Sequence, residues 1–123
     1  MSFKVAVASS DGKFINQHFG RSRQFLVFAV NETDESFTFQ ELLSTEAVCA
    51  GQQHDENQLA ALANLLSGCH FVLATRIGPG AERLLAEKGI RALEYTAFIE
   101  DALKKLALSL RRLKWKATET ADR

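Results

Sequence analysis

The sequence predicts an α/β fold in which a five-stranded mixed sheet is flanked by about three helices. Short apolar runs rich in β-branched and aromatic residues indicate strands, and longer stretches with apolar residues at positions i, i+3, i+4 and i+7 indicate amphipathic helices. Along the chain these elements follow the order β β β α β α β α. A chain of 123 residues suits a single domain, which we place at residues 1–113, with a polar tail at 114–123.

The five predicted strands lie at residues 3–8, 24–30, 37–42, 71–74 and 90–95. The first is entirely small or apolar after Lys4, which is typical of a central strand buried on both faces. In the third, Phe37 and Phe39 alternate with Thr38, a pattern that indicates an edge strand with one solvated face. The polar turn at 31–36 is short, so the second and third strands should form an antiparallel hairpin.

The predicted helices each have a recognisable beginning or end. The first starts near Asp55 and carries an apolar stripe that ends before Gly68. The second begins at Pro79, because proline suits the first turn of a helix, and stops at Gly89. The third covers residues 99–113 along a regular apolar stripe.

Three loops should meet at one end of the sheet. They follow the first, third and fourth strands, at residues 9–23, 44–54 and 75–80. A hairpin reverses the chain and a helical connection restores its direction, so these strands point the same way and their loops share an end. If the first and fourth strands are neighbours, this end is a topological switch point, where open α/β sheets bind ligands. The glycine–proline–glycine turn at 78–80 adds exposed N–H groups that suit an anion.

The first of these loops carries the leading candidate for metal binding, His18, because a neutral imidazole is a good metal ligand. Arg21, Arg23 and Arg76 could hold an anion through their guanidinium groups. Roles that involve no ligand are also open for these residues. His18 could hydrogen-bond a nearby carbonyl, and the arginines could be solvated or form surface salt bridges.

Cysteine and histidine ligands are too few for a closed metal site. The chain contains two cysteines and no CxxC pair, whereas a structural zinc site usually has four ligands and a cluster several thiolates. Cys49 and His54 in the second loop could join His18 and offer one to three ligands to a metal species that brings its own coordination. Cys69, at the opposite end of the sheet, is expected to be a small core residue.

Overall charge and hydropathy argue against several kinds of partner. The formal net charge is +0 at pH 7, which argues against nucleic acid or an anionic membrane. No apolar run approaches the length of a membrane span.

Met1 leads directly into a strand without a signal peptide, so we expect a cytoplasmic protein with reduced thiols. An exposed edge at the third or fifth strand could pair with a second copy, which leaves monomer and homodimer open.

Four stretches of the sequence form a pattern that is known from one family. They read Val5-Ala6-Val7-Ala8-Ser9-Ser10-Asp11-Gly12, Gln17-His18-Phe19-Gly20-Arg21, His54-Asp55-Glu56 and Arg76-Ile77-Gly78-Pro79-Gly80. Over about residues 3–110 the chain resembles the dinitrogenase iron–molybdenum cofactor biosynthesis family, which includes NifX, the NafY core domain and the C-terminal region of NifB. The resemblance implies a ribonuclease H-like fold with strand order 3-2-1-4-5, in which the first and fourth strands lie side by side.

The resemblance also implies a non-catalytic carrier or chaperone. It would bind the nitrogenase iron–molybdenum cofactor or its iron–sulfur precursor, an anionic cluster, and deliver it to cofactor-maturation proteins and apo-dinitrogenase. His18 would be the cluster ligand or its close neighbour, with Arg21 and Arg76 facing the cluster or its organic acid. Cys49 lies where some relatives have Cys-Gly-Gly, but this chain has alanine as the second residue. The other matching positions at the site are Asp11, Gly12, Phe19, Gly20, Gly78 and Gly80.

Two other functions compete with this interpretation, and the second is disfavoured by the sequence. A regulatory or scaffolding domain of metal-cluster metabolism would use them to contact proteins without ligating a cluster. A ribonuclease H-like nuclease would need several carboxylates around two metal ions, and residues 3–8 contain none. The sequence therefore favours a binding protein over an enzyme.

Overall fold

The structure is a computed structural model that describes residues 2–31, 33–45 and 56–112. Within these ranges the chain forms five strands and three α-helices in the predicted order, and none of these helices is long and apolar enough to cross a membrane. The tail predicted at 114–123 and most of the second loop lie outside the described residues. The elements are β1 (Ser2–Ala8), β2 (Gln24–Asn31), β3 (Phe37–Ser44), α1 (Glu56–Leu65), β4 (Phe71–Ala74), α2 (Pro79–Glu87), β5 (Arg91–Glu94) and α3 (Ile99–Arg112).

β1 is the central strand, as its composition predicted. The strand order is β3-β2-β1-β4-β5, and β1 pairs antiparallel with β2 and parallel with β4. The five-stranded mixed sheet and the order 3-2-1-4-5 are therefore confirmed. Because β5 is parallel to β4 and β3 is antiparallel to β2, the carboxyl ends of β1, β3, β4 and β5 lie at one edge of the sheet. We call this edge the upper end.

Alternation along β1 divides the core into two layers. Phe3, Val5 and Val7 belong to the layer that includes the buried residues of α3. Ala6 and Ala8 belong to the layer that includes the buried residues of α1 and α2. Since successive side chains of a strand point to opposite faces, the helices cover both faces of the central strands. Polar groups can therefore gather at the ends of these strands.

The edge strand β3 differs from the prediction of a single solvated face. Its register with β2 shifts after Val27, which pairs with Glu41. The next pair is Phe28 with Phe39, so Gln40 forms a bulge without a partner. Most of β3 is exposed, and Phe39 exposes 51% of its surface. Consecutive residues along β3 are exposed, so both of its faces are largely solvated, and among the described residues no strand lies on its outer side.

Two leucines of α3 test the packing of this helix. Leu103 is fully buried, whereas Leu108 is 40% exposed. We expect Leu103→Ala to lower the free energy of unfolding by about 2–5 kcal/mol, because it leaves a cavity. Leu108→Ala should change it by less than about 1 kcal/mol. Urea denaturation measures both free energies. Because both variants replace leucine by alanine in the same helix, the change in helix propensity is the same and drops out of the comparison. Equal losses would contradict this packing.

Candidate functional site

The first loop, residues 9–23, is anchored to the sheet by backbone hydrogen bonds. Near its beginning it runs antiparallel to the segment between β5 and α3. The N–H of Ile15 donates to the carbonyl of Ala97 at 2.9 Å. The N–H of Ile99 donates to the carbonyl of Lys13 at 2.8 Å. The loop therefore continues the hydrogen-bonding pattern of the sheet.

A second set of bonds ties the loop to the chain that leaves β4. The N–H of Thr75 donates to the carbonyl of Gln17 at 3.0 Å. The N–H of Phe19 donates to the carbonyl of Arg76 at 2.9 Å. These bonds make His18 and Arg76 partners in a parallel bridge. Residues opposite each other across paired strands have neighbouring side chains, so those of His18 and Arg76 leave the backbone next to each other.

The two residues of this bridge, which we call the His18–Arg76 pair, are exposed at the upper end. Arg21 follows one 3₁₀ turn later, where its N–H donates to the carbonyl of His18 at 3.1 Å, and it is also exposed. Within the described part of the chain, neither guanidinium forms a hydrogen bond or an ion pair with another residue. Two cations beside a histidine suit an anion that contains a metal.

Phe19 and Gly20 follow His18, and Phe19 supports its position. Phe19 is 1% exposed and packs against Phe25, with ring centroids 5.5 Å apart. It thus anchors the loop in the core directly after the histidine. Gly20 is half-buried, and a Cβ atom there would meet no atom within 4 Å, so the space around it is open.

The N-terminus of α2 begins just after Arg76. Gly78 is the N-cap, Pro79 is the first helical residue, and no side chain caps the helix. A Cβ atom at Gly78 would meet nothing within 4 Å, whereas one at Gly80 would lie 3.8 Å from Leu59 of α1. The backbone at Gly78 is therefore open to a ligand. The helix dipole places partial positive charge there, next to the cation of Arg76, and both charges would favour an anion.

Glu94, the last residue of β5, was not anticipated as part of this end. Its Oε2 atom accepts a hydrogen bond from the N–H of Ile77 at 2.8 Å. The pairing of β4 with β5 places Glu94 opposite Ala74, the last residue of β4. An acidic residue at the carboxyl end of a predicted parallel strand was the sequence signal that could have identified it.

Asp11 and Gly12 shape the turn that begins the first loop. Oδ1 of Asp11 accepts hydrogen bonds from the N–H groups of Lys13 at 2.8 Å and Phe14 at 3.0 Å. The hydroxyl of Ser9 donates to the same atom at 3.2 Å. These bonds, with that from Lys13 the largest, lower the pKa of Asp11 below its ordinary value. Gly12 has φ = 76°, which favours glycine. Both residues stabilise the turn in which they lie, and their contact with a ligand stays a prediction.

The predicted metal ligands Cys49 and His54 lie outside the described residues. The loop that carries them starts at the upper end, because the N–H of Thr45 donates to the carbonyl of Arg23 at 2.9 Å. The described ranges contain no group of three or more His, Cys, Asp or Glu residues that could hold a metal ion. Cys69 is buried in the core, as predicted, and burial raises its pKa to about 11.

Comparison with known proteins identifies the family. The sequence profile of the family described as dinitrogenase iron-molybdenum cofactor matches residues 1–108. The chain belongs to this family. It is 35% identical over 107 residues to the FeMo cofactor biosynthesis protein NifB of Sinorhizobium fredii, a match that covers 85% of this chain and 21% of NifB. It is 34% identical over 111 residues to the protein NifX of Azotobacter vinelandii, which covers 88% of this chain and 67% of NifX.

A solved structure shares the fold of this member of the iron-molybdenum cofactor family. The apo form of the orange protein (ORP) from Desulfovibrio gigas matches it with a TM-score of 0.64 at 19% sequence identity. The match covers 89% of this chain and 90% of that chain. At this level of identity the likeness concerns the fold alone, and it agrees with the mixed α/β sheet described above.

The turn at Asp11 predicts a pH dependence of stability. Because the pKa of Asp11 is lower in the folded than in the unfolded protein, its stabilising contribution is present above the unfolded pKa and is lost as the pH falls through the folded pKa. Between about pH 5 and pH 2, wild type should therefore lose stability more steeply than Asp11→Asn in thermal unfolding.

Asp34 offers a matched control for this experiment. Hydrogen bonds from Ser36 also lower the pKa of Asp34, which lies in the turn between β2 and β3. Asp34→Asn should flatten the pH profile as well, but it should leave amide exchange at Lys13 and Phe14 unchanged, whereas Asp11→Asn should speed it. Identical profiles for wild type and Asp11→Asn would contradict this role of Asp11.

The buried thiol of Cys69 should react slowly. In the variant Cys49→Ser it is the one remaining cysteine of the chain. With a pKa of about 11, its thiolate fraction at pH 8 is on the order of a hundredfold lower than that of an ordinary cysteine. A thiolate of higher pKa is also more nucleophilic, which offsets part of this factor, whereas the burial of Cys69 slows the reagent's approach. We therefore expect iodoacetamide to alkylate the native variant at least about tenfold more slowly than the urea-unfolded variant. Similar rates would show that Cys69 is accessible.

Proposed function

We propose that this chain is a non-catalytic carrier that binds the iron–molybdenum cofactor of nitrogenase, or its iron–sulfur precursor, and delivers it to partner proteins. The cargo would lie at the upper end of the sheet, against the His18–Arg76 pair. This pair is the observation that carries the proposal, because it places a side chain able to ligate metal beside one able to bind an anion. It also lies at the upper end, beyond the carboxyl ends of the neighbouring parallel strands β1 and β4, the usual ligand position in an open α/β sheet.

Each group of the proposed site has its own task. The imidazole of His18 would coordinate a metal atom of the cluster. Arg21 and Arg76 would offset the negative charge of the cluster and of any organic acid attached to it. The backbone at Gly78 would add N–H donors at the positive end of α2. Cys49 and His54 are proposed as further ligands from the neighbouring loop.

A small number of protein ligands suits transfer better than permanent storage. A structural metal site surrounds its ion with four protein ligands, and such a cage would slow release. Within the described ranges, the upper end offers one histidine and several exposed arginines. The cargo would therefore keep most of its own coordination and would stay accessible to an acceptor protein.

The relatives support the biological setting. The NifB relatives carry the name FeMo cofactor biosynthesis protein, and the family is described by the same cofactor. On this basis we propose nitrogenase cofactor-maturation proteins and apo-dinitrogenase as partners. The chain spans 21% of the NifB protein that it matches, and we assign to it the binding of the cluster rather than its synthesis.

Anaerobic addition of extracted iron–molybdenum cofactor tests this proposal. Wild type should co-elute with cluster absorbance on gel filtration. His18→Ala and Arg76→Gln should each retain roughly tenfold less at the same protein concentration, because each loses one direct contact with a charged group.

Two variants at the opposite end of the sheet serve as controls. His70→Asn keeps an acceptor for the N–H of Lys4, which bonds Nδ1 of His70 at 3.0 Å, and Arg91→Gln removes a cation at the start of β5. Both should retain cofactor as wild type does. Equally low retention by wild type and His18→Ala would contradict the carrier role. Cofactor-independent binding to maturation proteins that also survives His18→Ala would favour a scaffolding domain instead.

A further inference from the structure

Glu94 places a carboxylate at the upper end that the carrier role described above does not use. Its Oε2 atom accepts a hydrogen bond from the N–H of Ile77 at 2.8 Å. The side chain of Ile77 is only 9% exposed and lies in the core layer with α1 and α2. This N–H is therefore held in place by the core, and the carboxylate of Glu94 is fixed against it.

The position of Ile77 decides what this hydrogen bond can do. Ile77 lies between Arg76 and Gly78, the two groups proposed to face the anionic cargo. The carboxylate of Glu94 therefore lies beside the proposed anion site, where the positive end of α2 stabilises it. The carboxylate of Asp11 is arranged differently, because its own turn supplies its hydrogen-bond donors.

We propose that Glu94 limits the affinity of the upper end for its anionic cargo and thereby speeds release of the cargo. This inference rests on the proposed carrier function and deepens it. An anion that contacts Arg76 and Gly78 is repelled by Glu94 at short range, whereas in the unloaded protein the same charge stabilises the start of α2. The repulsion weakens binding to the level that a protein which hands over its cargo requires.

Removing the charge while keeping the hydrogen bond isolates this effect. In Glu94→Gln the side-chain carbonyl can still accept the N–H of Ile77. For anaerobic binding of extracted iron–molybdenum cofactor, we expect Glu94→Gln to lower Kd roughly three- to thirtyfold, the range that one unit of cargo charge at about 8 Å would give at an effective dielectric constant of about 20 to 80. Transfer to apo-dinitrogenase should slow, and the gain in affinity should shrink at high salt.

Two further variants control for other causes. Glu87→Gln removes the same charge from the last residue of α2, about 12 Å along the helix from its first residue, and should leave Kd unchanged. Glu94→Ala removes the charge and the acceptor together. It should also tighten binding, but its Tm should fall below that of Glu94→Gln because the N–H of Ile77 loses its partner.

The outcomes separate this inference from the function on which it rests. Unchanged or weaker binding by Glu94→Gln, while wild-type binding still depends on His18 and Arg76, would overturn the inference and leave the carrier function standing. Equal tightening by Glu87→Gln would also overturn it, since net charge rather than the place of Glu94 would then be the cause. A wild type that binds no cofactor would overturn both.

Discussion

The upper end of the molecule depends on one constraint, the backbone pairing of the first loop with the segments that leave β4 and β5. A long connection between antiparallel strands loses much conformational entropy when it is ordered. In this chain the loss is offset by hydrogen bonds to residues 97–99 on one side and to 75–76 on the other. The loop therefore behaves as an extension of the sheet, and it fixes the backbone of His18 beside that of Arg76.

This pairing makes the upper end ordered and open at the same time. The burial of Phe19 and the turn around Asp11 hold the backbone, while the side chains of the His18–Arg76 pair face solvent. Stability comes from the two core layers on either side of β1, which leaves the polar groups of the upper end free for binding. We infer that such an arrangement favours a ligand that arrives and leaves, with Glu94 opposing the charges that attract it.

Local patterns of apolar residues predicted most of the strands and helices, but they did not predict the pairings between distant segments of the chain. The apolar character of β1 and the helical stripes reflect burial, which composition records directly. Topology then placed His18 and Arg76 at one end. The pairing of residues 13–15 with 97–99 joins two distant segments through backbone groups, which every residue type carries, so nothing in the sequence marked it. The bulge at Gln40 and the hydrogen bond that Ile77 donates to Glu94 depend on strand register, which an exposed edge strand and a short strand specify weakly.

Paramagnetic broadening in the amide NMR spectrum tests most directly whether the cargo binds at the His18–Arg76 pair. A paramagnetic iron cluster broadens the signals of nearby N–H groups, so ¹⁵N-labelled protein loaded anaerobically with cofactor reports where the cluster lies. We expect the amide signals of His18, Arg76 and Gly78 to broaden most strongly, while those of His70 and Arg91 at the other end stay sharp. Strongest broadening at the opposite end, or uniform broadening over the whole chain, would contradict a site at the His18–Arg76 pair.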